Sequence, residues 1–241
     1  MPCLEFMKTV VVIPTYNEAK NIVLLLREVL KQDAGLEVLV VDDYSPDRTW
    51  MFVEQEARAS LRVHLLLRRG ERGRGRAGAE GFRKALEMGA ERIIEMDGDF
   101  SHDPGDLVSL IEASDDADLA IGSRYISGGS DGERGVSRRL VSSFARRYLR
   151  YILGLGVHDP TSGYRCFRED AVRSLLSGGV SSVGPFFITE TLFYCCRKGM
   201  RIVEVPISFR KRKSGRSKLG VMTLVKYLLQ ALKLRLKSRL F

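Results

Sequence analysis

Two carboxylates one residue apart, Asp97 and Asp99 around Gly98 in IIEMDGDFSHDP, follow an apolar run and open into a glycine turn. Such a pair can share one divalent ion such as Mg2+ while leaving room for diphosphate oxygens and water. Two further polar groups end two other apolar runs: Asp42 and Asp43 in VVDDYSPD, and Pro14, Tyr16, Asn17 and Glu18 in VVIPTYNE. Acids beside an aromatic ring suit a nucleoside, with the ring flanking the base and the carboxylates accepting from base N–H groups or ribose hydroxyls. Singly, Asp42, Asp43 and Asn17 would each pass as helix caps. Together they favour a site.

Basic residues form a second set: Arg124 in IGSRY, Arg138 and Arg139 with Ser142 and Ser143 four residues on, Arg165 in DPTSGYR, and Arg212 with Lys218 in RKRKSGRSKL. The planar fork of arginine matches phosphate oxygens two at a time, so several converging on one point would hold a phosphate monoester. As isolated charges, most would be solvated surface. Gly73, Gly75 and Gly78 in GRGRAG fit the dinucleotide pattern G-x-G-x-x-G. That fingerprint belongs in the first βα turn of its unit, whereas here it comes third and its acid is part of the DGD pair. A basic glycine loop touching a sugar diphosphate is the better expectation.

Short apolar runs alternating with helix-like segments must position these groups. Strands are expected at Thr9 to Ile13, Glu37 to Val41, Val63 to Leu67, Arg92 to Met96 and Asp118 to Ile121, with another near Ile202 to Val205. Helices are expected from Asn17 as N-cap, from Ser45 and Pro46, over Ser137 to Leu153, Glu169 to Leu176 and Thr189 to Lys198; His158 to Phe167 reads as loop. This is the signature of βαβ units in a mostly parallel α/β sheet, where ligands sit beyond the carboxyl ends of the strands. Every acidic cluster named above falls at such an end.

The charge of +9 is uneven, because Arg197 to Phe241 carries +13 and the body before it −4. An anionic partner is expected at that end: nucleic acid, a membrane surface or a phosphorylated substrate. Aromatic residues are sparse among the basic ones there, which argues against nucleic acid, bound by a non-enzymatic module or otherwise. From Val221 the chain reads as a basic amphipathic helix with Val221, Leu224, Val225, Leu228, Leu229 and Leu232 on one stripe, suited either to a membrane interface or to packing on the core. Two units follow: a domain over residues 1–210, and a basic loop with interfacial helix over 211–241. Four cysteines without a CxxC pair point to a reducing compartment, and no signal peptide or apolar run of about 18 residues is visible. The expected location is cytoplasmic, peripheral on the cytosolic face of a membrane.

The set VVIPTYNE, VVDDYSPD, MDGDFSH, GSRY, R-x-x-x-S, DPTSGYR and EVPISF with GRSKLG resembles the dolichyl-phosphate (polyprenyl-phosphate) mannosyltransferases of glycosyltransferase family 2, from about Lys8 to Gly220. The resemblance implies a GT-A fold, Rossmann-like with helices flanking the sheet. It also implies inverting transfer of mannose from GDP-mannose to dolichyl or polyprenyl phosphate; a UDP-glucose donor, giving a dolichyl-phosphate glucosyltransferase, is the alternative. Pro14, Tyr16, Glu18 and Asp43, with Asp42 and Gly98 beside them, would hold the donor. Asp97 and Asp99 would take Mg2+ or Mn2+ with the diphosphate. Arg124, Arg138, Ser142 and Arg212, joined by Lys218, would take the acceptor phosphate, and the catalytic weight would fall on Asp99, Arg124, Arg138 and Arg212. Arg74 and Arg76 make the glycine loop more basic than the family leads one to expect. Anchoring would rest on the amphipathic tail or on a small membrane-anchoring subunit.

Overall fold

The computed structural model describes residues 7–132, 136–210 and 221–238, with backbone alone for 136–140 and 221. In chain order the elements are β1 (Thr9–Thr15), α1 (Ile22–Leu30), β2 (Leu36–Asp42), α2 (Thr49–Ala59), β3 (Val63–Leu67), α3 (Arg74–Glu87) and β4 (Arg92–Glu95). They continue with α4 (Leu107–Ala113), β5 (Leu119–Ser123), α5 (Val136–Leu153), β6 (Arg165–Arg168), α6 (Glu169–Ser177), α7 (Phe187–Arg197), β7 (Ile202–Pro206) and α8 (Val221–Lys237). One seven-stranded sheet runs in the order β3-β2-β1-β4-β6-β5-β7. All pairings are parallel except those of β6, which lies antiparallel between β4 and β5.

Burial on both faces explains why the strands read as continuous apolar runs. Val10 and Val12 of β1 face one core with Phe82, Leu149, Phe167, Leu192 and Ala231, while Val11 and Ile13 face the other with Ile22, Leu25, Leu26 and Leu110. The four fully buried side chains of α1, Ile22, Leu25, Leu26 and Val29, recur at helical spacing. At about 1.5–3 kcal/mol each they are the main reason this segment is helical.

Helix α1 starts later than the expected Asn17 cap. Asn17 is left-handed with φ 65°, and tertiary partners take the backbone N–H groups of this turn. Asn17 N–H donates to Ser45 Oγ, Glu18 N–H to Thr49 Oγ1 and Ala19 N–H to Asp47 Oδ2. Pro14 does not end its strand; it pairs in register with Val41. Its missing N–H would face β4, which diverges after Met96 donates to the Val12 carbonyl. Strand β6 occupies part of the segment expected as loop. Its RCFR sequence hides the signal, because Arg165 is wholly buried and donates to the Ile188 and Pro160 carbonyls and to Thr191 Oγ1. Arg165 therefore holds α7 to the sheet and does not serve a phosphate.

Helix α8 packs one face on the body. Ala231 is fully buried, Tyr227 and Leu234 lie against the core, and the Tyr227 hydroxyl meets Thr189 Oγ1 at 2.6 Å. Among the described side chains of the expected stripe, Leu224 and Leu228 are half-buried and Val225, Leu229 and Leu232 exposed, whereas the core contacts come from Tyr227, Ala231 and Leu234, which that stripe did not include. The expected unit boundary after residue 210 falls where the described residues break.

Candidate active site

Three loops at the carboxyl ends of β1, β2 and β4 each carry a non-glycine residue in the left-handed region, Asn17, Tyr44 and Phe100. Such conformations cost roughly 1–2 kcal/mol apiece and persist where neighbours enforce them. Gly98 lets two of these loops touch, since a Cβ there would stand 3.2 Å from Thr15 and 3.5 Å from Glu18. Thus the DGD turn rests directly on the YNE turn.

Asp42 is not available to a ligand. It is fully buried, and its carboxylate accepts from Thr15 Oγ1, Ser45 N–H and Ser45 Oγ, each at 2.7 Å. Its role is to tie β1 to the turn after β2. Asp43 pairs with Arg68 and accepts from Gly73 N–H at 2.8 Å, so it anchors the glycine loop, while Arg68 also binds Glu80. Tyr16 is half-buried, with Arg72 4.8 Å from its ring and 2.6 Å from its hydroxyl. Glu18 Oε2 accepts from Asn21 Nδ2.

The glycine loop does not offer its N–H groups to a diphosphate. The N–H of Gly75 donates to the Val183 carbonyl, and a Cβ on Gly75 would meet the Ser182 carbonyl at 1.9 Å. Close packing against residues 182–187 is what these glycines permit. Only Arg74 extends from this loop into the acidic cluster.

Around the DGD turn, the Asp97 carboxylate lies 3.1 Å from Arg74, and Asp99 accepts from the N–H and hydroxyl of Ser101. Asp97 N–H donates to Nδ1 of buried His102, whose ring stacks on Tyr164 at 4.8 Å. Burial holds the His102 pKa below its ordinary value against the pull of Asp97 and Asp99, with Arg124 and Arg74 adding to the depression. The imidazole is therefore neutral at pH 7, and its proton belongs on Nε2. Carboxylates and a hydroxyl are hard oxygen donors that suit Mg2+ or Mn2+. Among the described residues no group of three or more His, Cys, Asp or Glu side chains that could hold a metal ion is present.

Arg124 stands on the other side of His102, with Phe209 between them, 5.6 Å from the His102 ring and 5.0 Å from the guanidinium. It is not a free fork. Nε and NH2 bind the fully buried Asp159 at 2.7 Å, NH2 also reaches Thr161, and NH1 faces Asp131 at 3.6 Å. Glu204 in turn clamps the N–H groups of His158 and Asp159. Arg138 lies in the first turn of α5 and Ser142 one turn on, half-buried. A further turn along, Arg146 stacks on Tyr125 at 4.0 Å. Arg212 and Lys218 lie outside the described residues.

The profile of Glycosyl transferase family 2 matches residues 10–176. The chain belongs to glycosyl transferase family 2. This glycosyltransferase is 41% identical over 214 residues to the undecaprenyl-phosphate mannosyltransferase of Micrococcus luteus, covering 89% of this chain and 88% of that one. It is 40% identical to the polyprenol monophosphomannose synthase of Mycolicibacterium smegmatis, covering 88% and 81%. Among solved structures it is similar to a mannosyltransferase of Pyrobaculum calidifontis in complex with GDP-Man and Mn2+, with TM-score 0.62, 20% identity and coverage of 97% and 64%. A glucosyl-3-phosphoglycerate synthase of Mycobacterium tuberculosis with Mn2+ and UDP gives TM-score 0.69 at 20% identity, covering 94% and 80%. These structural likenesses bear on the fold alone, and they agree with the expected GT-A architecture.

Sequence reasoning missed Arg68, His102, Asp159 and Glu204 as organisers of the glycosyltransferase site. All four are held by partners 25 to 45 residues away or buried by packing, so spacing carried no signal for them.

Proposed function

We propose that the chain is an inverting, metal-dependent mannosyltransferase that moves mannose from GDP-mannose to a polyprenyl phosphate, such as dolichyl phosphate, at a membrane surface. The observation that carries this reading is the arrangement around His102: Asp97, whose N–H donates to His102 Nδ1, and Asp99 follow β4, and Arg124 lies beyond Phe209 at the end of β5. One pole suits a metal-chelated diphosphate and the other an acceptor phosphate. Relatives named for polyprenyl-phosphate mannosylation over nearly the whole chain support it.

Asp97 and Asp99 would hold Mg2+ or Mn2+. That ion, when bound, neutralises charge on the departing diphosphate. Tyr16, Glu18 and the loop anchored by Asp43 border the nucleoside, while Arg138, Ser142, Arg212 and Lys218 take the acceptor phosphate. Arg124, locked by Asp159, forms a rigid wall there. A phosphate monoester has a second pKa of about 6, so its oxygen is anionic near pH 7 and needs no general base. That oxygen attacks the anomeric carbon from the face opposite the diphosphate. The new carbon–oxygen bond forms as the old one breaks, and the electron pair leaves on GDP. The protein's task is to bring two anions into line.

The membrane side is the face shared by α5 and α8. On α8, Met222, Val225, Leu229, Leu232 and Leu236 are 39–69% exposed at three- and four-residue steps, beside exposed Lys226, Lys233 and Lys237. On α5, Val141, Phe144 and Tyr151 are 50–87% exposed, and Tyr148 joins the helices through the Leu228 carbonyl. An apolar stripe flanked by lysines suits the interface of an anionic bilayer. No described helix is long and apolar enough to cross a membrane.

The test is transfer of label. The full chain with Mn2+, polyprenyl phosphate and labelled GDP-mannose or UDP-glucose should put label into the organic extract from GDP-mannose. No lipid-phase label from any nucleotide sugar would sink the proposal, and label from UDP-glucose alone would replace the donor.

A further inference from the structure

Arg74 sits inside the acidic cluster with no part in the mechanism above. It belongs to the first turn of α3, and its side chain crosses to β4 and the DGD turn. One guanidinium nitrogen binds Glu95, and the other lies 3.1 Å from Oδ1 of Asp97. The Glu95 side chain is 0% exposed, that of Arg74 18% and that of Asp97 32%. Gly163 supplies the room, since a Cβ there would stand 3.3 Å from Arg74 NH2 and 3.8 Å from Asp97 Oδ1. Three separate chain segments are thus shaped around this contact. Burial alone would weaken the guanidinium charge, but Glu95 and Asp97 more than offset that and keep it fully protonated.

We propose that Arg74 is a built-in counter-cation for Asp97, occupying the carboxylate in the donor-free protein and yielding it to the divalent cation when the donor diphosphate arrives. The inference rests on the functional reading above. A divalent ion approaching alone must displace a guanidinium that Glu95 holds within a few Å, and it meets that positive charge as it enters. A diphosphate changes the balance by offering Arg74 another anion. Because the guanidinium is a fork, one nitrogen stays on Glu95 while the other turns from Asp97 to a phosphate oxygen. Metal and nucleotide then tighten one another, reciprocally.

The experiment measures Mn2+ binding to the full chain by electron paramagnetic resonance of free Mn2+, with and without GDP and with no acceptor lipid. Wild type should bind Mn2+ weakly alone and at least about tenfold more tightly with GDP, the size of effect a neighbouring charge exerts. The double variant Arg74→Leu with Glu95→Gln leaves the net charge of the site unchanged and avoids a buried unpaired carboxylate. It should bind Mn2+ alone about tenfold more tightly than wild type, and its coupling to GDP should fall below about threefold. Arg74→Lys keeps a charge but not the fork, so its coupling should be intermediate; this variant decides the matter if circular dichroism shows the double variant unfolded. Variants that match wild type in Mn2+ affinity and coupling overturn the inference alone. Wild type that takes up no Mn2+ even with GDP overturns the functional reading, and the inference with it.

Discussion

Replacing Asp159 with Ala tests whether the acceptor side is organised by a buried ion pair. Asp159 is fully buried and Arg124 is 8% exposed at its side chain. The change removes two hydrogen bonds of 2.7 Å from the guanidinium and one from the Arg124 N–H, together with those from the Thr161 N–H and hydroxyl. Thr161 and Asp131 cannot make up that loss, so a charged guanidinium is left buried and under-partnered. Breaking a buried pair on one side costs about 3–5 kcal/mol, which for a chain of this size lowers Tm by roughly 6–20 °C at 2–4 °C per kcal/mol. The double variant Arg124→Met with Asp159→Leu removes both charges and should recover most of the stability, yet remain deficient in lipid mannosylation. The pair also has a pH signature. Burial pushes the Asp159 carboxyl up, but Arg124 more than offsets it and leaves the pKa below the usual carboxylate value. Its stabilisation is therefore fully present above the unfolded pKa of about 3.9 and is lost as pH falls through the lower folded value. Denaturant melts at pH 7 and at pH 3 measure both effects. A loss under 1 kcal/mol for Asp159→Ala at pH 7 would refute the reasoning.

Asp99→Ala should lower mannosyl transfer by about 100-fold or more while the circular dichroism spectrum is unchanged; near-normal turnover would move the metal site elsewhere. Asp42→Asn places an amide N–H2 among three donors, so stability should fall by about 1–3 kcal/mol with kcat of the folded fraction kept within a few fold. A selective loss of donor binding would return Asp42 to the nucleoside. Leu229→Glu with Leu232→Glu removes two half-exposed apolar side chains from the proposed lipid face. Sedimentation with anionic liposomes should show binding weakened by about 2 kcal/mol, roughly 30-fold, with Tm unchanged. Deleting α8 outright is a poor test, because Ala231 and Tyr227 belong to the core.

The alternation of apolar runs and helical stripes determined the layered α/β architecture, since strands buried on both faces must read as apolar throughout. The acidic pairs at strand ends likewise marked the edge of the candidate site, because parallel strands deliver their carboxyl ends to one edge. Spacing could not sort those acids. Asp42 and Asp43 are neighbours of identical type, yet one is consumed by Thr15 and Ser45 and the other by Arg68 and Gly73, partners up to 30 residues distant. The same limit hid β6, whose arginine ends look like surface until α7 and the Pro160 carbonyl cover Arg165. It hid the packing of α8 as well, because one helix can present apolar residues to a core and to the surface at angles that composition does not distinguish. Local pattern records which groups a chain carries and which way a strand or helix turns them. Which of those groups remain open to a ligand depends on hydrogen bonds closed by distant segments, and only the folded chain decides that.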